Sequence, residues 1–178
     1  MARYRDGVDP DSYPNSIWTD LLSNNTQNQR YTVNLRGGSE KTKFFVSGAY
    51  YKENGMFKSI RLDAYNANIG LERYNLRSNV DMDITPTTKR SVDMSGQYRT
   101  QNNPGNPSDQ IFKHIILFPT HLVPFTWSDG TAGGCDTGAD GRYNPYNLLN
   151  YSGYSKKWSV AMQTKAALRH KLDFITKG

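Results

Sequence analysis

The sequence predicts an all-β fold of about five long antiparallel strands. Three observations carry this: apolar and polar residues alternate with period two in five segments, turn residues separate those segments, and one alternation outlasts an ordinary strand. In that one, Tyr74, Leu76, Ser78, Val80, Met82 and Ile84 alternate without a slip with Arg73, Asn75, Arg77, Asn79, Asp81 and Asp83. Side chains leave a strand on opposite faces at each step, so the charges gather on one face and the other carries none. Strands usually run about five or six residues, so a pattern of about twelve marks a long strand between two different surroundings.

Residues 1–29 hold turn chemistry in Asp6-Gly7, Asp9-Pro10 and Tyr13-Pro14-Asn15, which stops regular structure. One short helix is expected there, capped by Ser16 and presenting Ile17, Trp18, Leu21 and Leu22. From Arg30 the period becomes two: Tyr31, Val33 and Leu35 alternate with polar residues, and Gly37-Gly38-Ser39-Glu40-Lys41 makes a tight connection. The second strand, from about Lys43 to Lys52, places Phe44, Val46, Gly48 and Tyr50 on one face. Phe45 and Tyr51 weaken a polar reading of the other, and Gly48 suggests close packing or a bulge.

A polar connection leads to the third strand, which Pro86 ends because it cannot continue a ladder. In the fourth, from about Lys89 to Gln101, Val92, Met94, Gly96 and Tyr98 oppose Asp93, Ser95, Gln97 and Arg99. Residues 102–155 are broken by five prolines and a glycine-rich run, with Asp109 to Phe118 the one short helix expected there. A fifth strand, from about Trp158 to Leu172, sets Trp158, Val160, Met162 and Leu168 against Ser159, Gln163, Lys165 and Arg169.

Composition narrows the surroundings. Counting glycine in place of tyrosine, the apolar share is about 38%, against roughly 45–50% in typical globular domains, which is little for an ordinary core. The 12 tyrosines and 3 tryptophans suit boundaries between wet and apolar media. The net charge of +6 comes from scattered Lys and Arg without a basic block, which argues against a nucleic-acid partner. Cys135 is the single cysteine, so no internal disulfide forms. No apolar run approaches a transmembrane helix and no signal-peptide core follows Met1, so the chain reads either as cytoplasmic or as a piece of something longer.

The connections alternate, short after the first and third strands and long after the second and fourth. That asymmetry is typical of an outer-membrane barrel, whose apolar faces meet lipid and whose charged faces line a hydrated lumen. Tyr31, Tyr50, Tyr74, Tyr98 and Trp158 then fall toward the ends bearing the long connections and form an aromatic girdle. A soluble antiparallel sheet with one wet face alternates in the same way, and a soluble β-rich carbohydrate-binding module is the rival reading. Strand length, loop asymmetry and low hydrophobicity favour the membrane.

The segments YRDGVDPDSYPNSIW, GGSEKTKFFVSGAYYKENGMFK, RYNLRSNVDMDIT and NPYNLLNYSGY resemble the SusC/RagA family of TonB-linked outer-membrane transporters of Bacteroidota, in the family's order and over nearly the whole chain. The resemblance implies a barrel of about 22 strands with a plugged lumen, of which this chain supplies about five, as an open curved sheet with two unpaired edges when isolated. Residues 1–29 become an extracellular loop segment with a short helix. Residues 30–178 become a partial barrel, with a long extracellular loop over about 102–155. The implied location is the outer membrane of a Gram-negative, Bacteroidota-like cell, and the implied activity is import of oligosaccharides or peptides. The implied partners are a SusD-like lipoprotein, the TonB complex acting through parts not in this chain, membrane lipid and the substrate.

Trp127, Tyr143, Tyr146, Tyr151 and Tyr154 lie in or beside the long loop, where aromatic faces suit sugar rings or a lid; loop packing is the plainer account. Arg73, Arg77, Asp81, Asp83, Asp93 and Arg99 point into the lumen in the barrel reading, where cross-strand pairing is the plainer account. Asp129, Asp136 and Asp140 lack the EF-hand spacing for calcium, and His114, His121, Cys135 and His170 fit no compact zinc site. No nucleophile-elbow, zinc-protease, P-loop or dinucleotide motif occurs, so neither catalysis nor a cofactor is expected.

Overall fold

The computed structural model describes residues 2–59, 65–134 and 143–172. Strands β1 (Asn28–Gly38), β2 (Thr42–Asn54), β3 (Gly70–Thr85), β4 (Thr88–Pro104) and β5 (Tyr154–His170) form one open sheet in sequence order. Residues 39–41 and 86–87 make the short connections, of the kind that joins antiparallel neighbours. The β1–β2 register runs unbroken from Asn28↔Glu53 to Gly38↔Lys43. Gly48 therefore sits at no bulge, and a Cβ placed there would meet nothing within 4 Å, so the expected close approach is absent as well. The ladder extends the expected strands at most ends because backbone pairing continues past the last alternating side chain.

The chain divides into two compact units. The sheet unit comprises Asn28–Glu53, Leu71–Thr100 and the described residues from Trp158. Its apolar side is uncovered: Val33 is 73% exposed, Leu76 62% and Met162 74%. Both outer strands, β1 and β5, are exposed along nearly their whole length.

The loop unit gathers the residues up to Gln27, Asn54–Gly70 and Gln101–Lys157. It holds the buried core of Trp18, Leu21, Phe57, Ile111, Ile115, Val123 and Leu149. Trp18 packs edge-on against Phe118 and Phe125, at ring separations of 5.6 and 5.0 Å, and its indole N–H reaches the Pro119 carbonyl. Each such buried side chain contributes roughly 1.5–3 kcal/mol. Gly105 lets two segments pass: a Cβ there would collide with the Ser152 carbonyl, and the Gly105 N–H donates to Gly153. Among the described residues no helix is long and apolar enough to cross a membrane, which says nothing of strands.

Several local expectations need correction. The turn at Trp18–Leu21 is a 3-10 helix without a side-chain cap. The Ser16 hydroxyl instead donates to the Val123 carbonyl at 2.8 Å, because Ser16 is buried where residues 120–123 pass, and its N–H donates to Thr120. Helix α1 (Ala2–Asp6) precedes the turns at Gly7 to Ser12, where only turn chemistry was expected. The expected helix at Asp109 to Phe118 is α2 (Ser108–Leu117), but a second helix, α3 (Pro145–Asn150), shares the long connection. Asn144 caps α3 by accepting from the Tyr146 N–H, and Pro145 occupies the first turn, where its missing N–H costs nothing.

Candidate functional site

The register lays the sheet's polar side out in rows. Arg30 stands opposite Tyr51, Thr32 opposite Ala49 and Asn34 opposite Ser47, whose hydroxyl donates to the Asn34 side chain at 2.6 Å. The Arg73 guanidinium lies over the Tyr51 ring at 5.2 Å, so β3 enters the first row at Arg73. From β4, the Gln97 amide donates to Asn75 at 2.9 Å and Asp93 accepts from the Asn79 amide. Stepping two residues back on β3 and two forward on β4 along that face sets Arg99 opposite Arg73. The first row is therefore Arg30, Tyr51, Arg73 and Arg99.

Arg77 stands two rows further along, its Nε donating to Asn79 at 3.0 Å. It shares a hollow of about 350 Å³ with Asp93, Ser95, Gln163 and Lys165. Toward the short connections the face carries charges of both signs. Asp81, Asp83 and Asp93 border a second hollow of about 470 Å³ with Lys43, Lys89 and Arg169, and Lys89 pairs with Asp83 at 3.2 Å. The structure thus brings the six expected wall residues onto one face and separates them by level, arginines at one end and aspartates at the other. Phe45 and Tyr51 do lie on this polar face, and Tyr51 offers its ring to Arg73 and its hydroxyl to Glu53 at 2.8 Å.

On the opposite side Tyr31, Tyr50, Tyr74 and Tyr98 form one ladder, with neighbouring ring centres 6.3, 4.9 and 6.2 Å apart. One step beyond, toward the long connections, Lys52 pairs with Glu72 at 3.6 Å. The apolar side thus ends at a tyrosine row backed by charge.

The loop aromatics do not make a single cluster. Tyr143, half exposed, stacks on His114 at 5.1 Å beside a cleft of about 290 Å³ lined by Leu117, Phe118, Pro119 and Leu122. Burial, and then the neighbouring Lys113, hold the His114 pKa below its ordinary 6.5. Tyr146 packs on Phe125 and Tyr151 against the core; its own burial first, then Tyr151, push its hydroxyl pKa up. Tyr154 is exposed and stacks on Tyr65 at 5.6 Å. Trp127 anchors a turn closed by its N–H to Thr131, where Gly130 adopts a positive φ of 82°. Neither His114 nor Tyr65 was marked by its local sequence as an aromatic platform, since stacking partners far apart in the chain leave no periodic signal.

Asp129 accepts from the Thr131 hydroxyl and N–H, and those bonds lower its pKa. Among the described residues no three His, Cys, Asp or Glu gather as metal ligands; Cys135, Asp136 and Asp140 lie outside the described residues. His121 meets Tyr4 edge-on and His170 meets the Thr88 hydroxyl at 2.8 Å.

An open antiparallel sheet with one bare apolar side, a tyrosine border and a charged reverse has the form of a β-barrel wall. Similarity to known proteins supports a particular class, the TonB-dependent receptors. TonB-dependent receptor P26 of Formosa agariphila is 30% identical over 132 residues, covering 72% of this chain and 12% of that protein. TonB-dependent receptor P3 of the same organism is 28% identical over 88 residues, covering 49% of this chain and 8% of that protein. The chain therefore matches only a small part of the length of either relative. No family model matches it.

Proposed function

We propose that this chain is a wall segment of a SusC/RagA-type TonB-dependent transporter in the outer membrane of a Gram-negative, Bacteroidota-like cell. The observation that carries this reading is the uncovered apolar side of a sheet with strands of 11 to 17 residues. On β3 that side runs from Tyr74 to Ile84 and on β5 from Trp158 to Leu168; on β4 Arg90 ends it sooner. Ten residues span about 33 Å along a strand. At the usual barrel tilt of about 35–45°, that length matches the roughly 25 Å height of an outer-membrane apolar band.

The whole transporter in this reading imports oligosaccharides or peptides, takes energy from the TonB complex and works with a SusD-like surface lipoprotein. It performs no catalysis. The loop unit, with Tyr143, Tyr151 and Tyr154 exposed, supplies aromatic faces for solute or lipoprotein. A soluble carbohydrate-binding module would need a second layer over Val80, Met82, Val92 and Met94, and the described strands form a single sheet.

Spin labels placed singly on the complete receptor in lipid vesicles test the reading. Labels at Val33, Leu76 and Met162 should collide with dissolved oxygen, and labels at Asn34, Arg77 and Gln163 with a water-soluble nickel chelate. Uniform access to the chelate at all six would overturn it.

A further inference from the structure

We infer that Arg90, flanked by Thr88 and His170, binds the phosphate of an anionic phospholipid headgroup at the short-connection edge of the sheet; this rests on the barrel reading above. Its neighbours fix the direction in which Arg90 leaves β4. Lys89 pairs with Asp83 and Asp93 accepts from the Asn79 amide, both on the polar face, so the alternating Arg90 belongs to the apolar side with Val92, Met94 and Tyr98. It is exposed there. The Lys89–Asp83 pairing sets Arg90 opposite Met82, and the Lys171 N–H donating to the Thr87 carbonyl sets it opposite Leu168.

Strand β4 lies between β3 and β5, so both strands that could offer a cross-strand counter-ion are present. Neither does. From the tyrosine row to the short connections, Arg90 is the one Asp, Glu, Lys or Arg on the apolar side of the described strands. Arg90 and Met82 also border the polar-face hollow, but among the described residues no carboxylate pairs with Arg90. Depth explains the exception. Tyr98 to Arg90 is eight residues, about 26 Å of strand, which rises about 19–22 Å at the usual tilt, a few ångströms short of the roughly 25 Å apolar band.

The long side chain covers the remainder and puts its guanidinium among headgroups, where a lipid-facing arginine costs little. A guanidinium takes a phosphate through two parallel N–H bonds. On the same side the Thr88 hydroxyl and the His170 Nδ1 lie 2.8 Å apart, and in either tautomer that pair keeps one further N–H or O–H to donate to the same anion.

The test uses the complete receptor in phosphatidylcholine bilayers containing phosphatidylglycerol. With native cysteines replaced by serine, a bimane label at Ala166, on β5 between the levels of Arg90 and Met94, reports quenching by either lipid brominated on its acyl chains. Phosphatidylglycerol should associate there about tenfold more strongly, the usual size of one hydrogen bond to a charged group, and Arg90→Gln should erase the preference. Arg90→Lys should keep part of it, and His170→Phe should lower it about threefold. Lys89→Gln, on the polar face, should leave it unchanged, and a label at Val33, below the tyrosine row, should show none.

Equal quenching by the two lipids at Ala166, a preference that survives Arg90→Gln, or one of the same size at Val33 would overturn the inference. So would loss of the preference in millimolar glycerol phosphate, which would mark a site for soluble phosphate. Heat-shifted gel mobility shows that each variant is folded. The label at Val33 keeps the two readings distinct: quenching there without a preference at Ala166 defeats this inference alone, whereas no quenching at either position defeats both.

Discussion

The loop unit and the sheet unit solve opposite problems. In the loop unit, irregular segments from three parts of the chain enclose Trp18, Phe57, Ile111 and Leu149 at 0–2% exposure. In the sheet unit, long regular strands leave Val33, Leu76 and Met162 bare. A water-soluble protein usually buries its strands and exposes its connections. The reversal teaches that the regular part relies on a surrounding medium to cover its apolar side, whereas the irregular part carries its own core.

That contrast can be broken most directly at Trp18. Trp18→Ala removes two edge-on aromatic contacts from the core and should cost about 3–5 kcal/mol. Hydrogen exchange should show lost protection in residues 101–134 and retained protection in β1 to β4; equal loss in both would end the contrast. Next comes the bare side. Met94→Arg should cost about 2–4 kcal/mol in lipid vesicles near the midplane, measured by guanidinium titration. In a water-facing sheet the same change stays within about 0.5 kcal/mol.

A smaller effect sharpens the loop unit. Ser16→Ala leaves the buried Val123 carbonyl without its donor, at a cost of about 1–3 kcal/mol seen in the same exchange experiment. The smallest is a pH effect at His114. Its folded pKa lies below 6.5, so the unfolded chain binds the proton more readily. The stability of the loop unit should be fully present above 6.5 and fall as pH drops through the lowered folded value. Imidazole shifts of His114, followed by NMR against exchange rates, check both the direction and the window.

The strands were legible because their alternation is a local signal: Arg73 to Ile84 lies wholly within the observed Gly70–Thr85. The tyrosine row was legible for the same reason, since each tyrosine keeps its place in a period of two. The core was not, because Trp18, Phe57, Val123 and Leu149 come from segments whose apolar residues follow no common period. Helix α3 escaped because Asn144-Pro145 stands among residues that usually break structure, although that pair is also a helix start. Of the candidate residues, sequence placed the arginines and aspartates on one face, and only the register revealed their order along it.

The bond between Ser16 and Val123 spans 107 residues, and Leu149 in the same core lies later still. The sheet, by contrast, pairs neighbour with neighbour. Closing a long loop must precede the contacts that reward it, whereas adjacent hairpins can zip as they are made. In synthesis from the N-terminus, Trp18 therefore waits for Leu149 before its core can close, and only the sheet's last strand, β5, comes later.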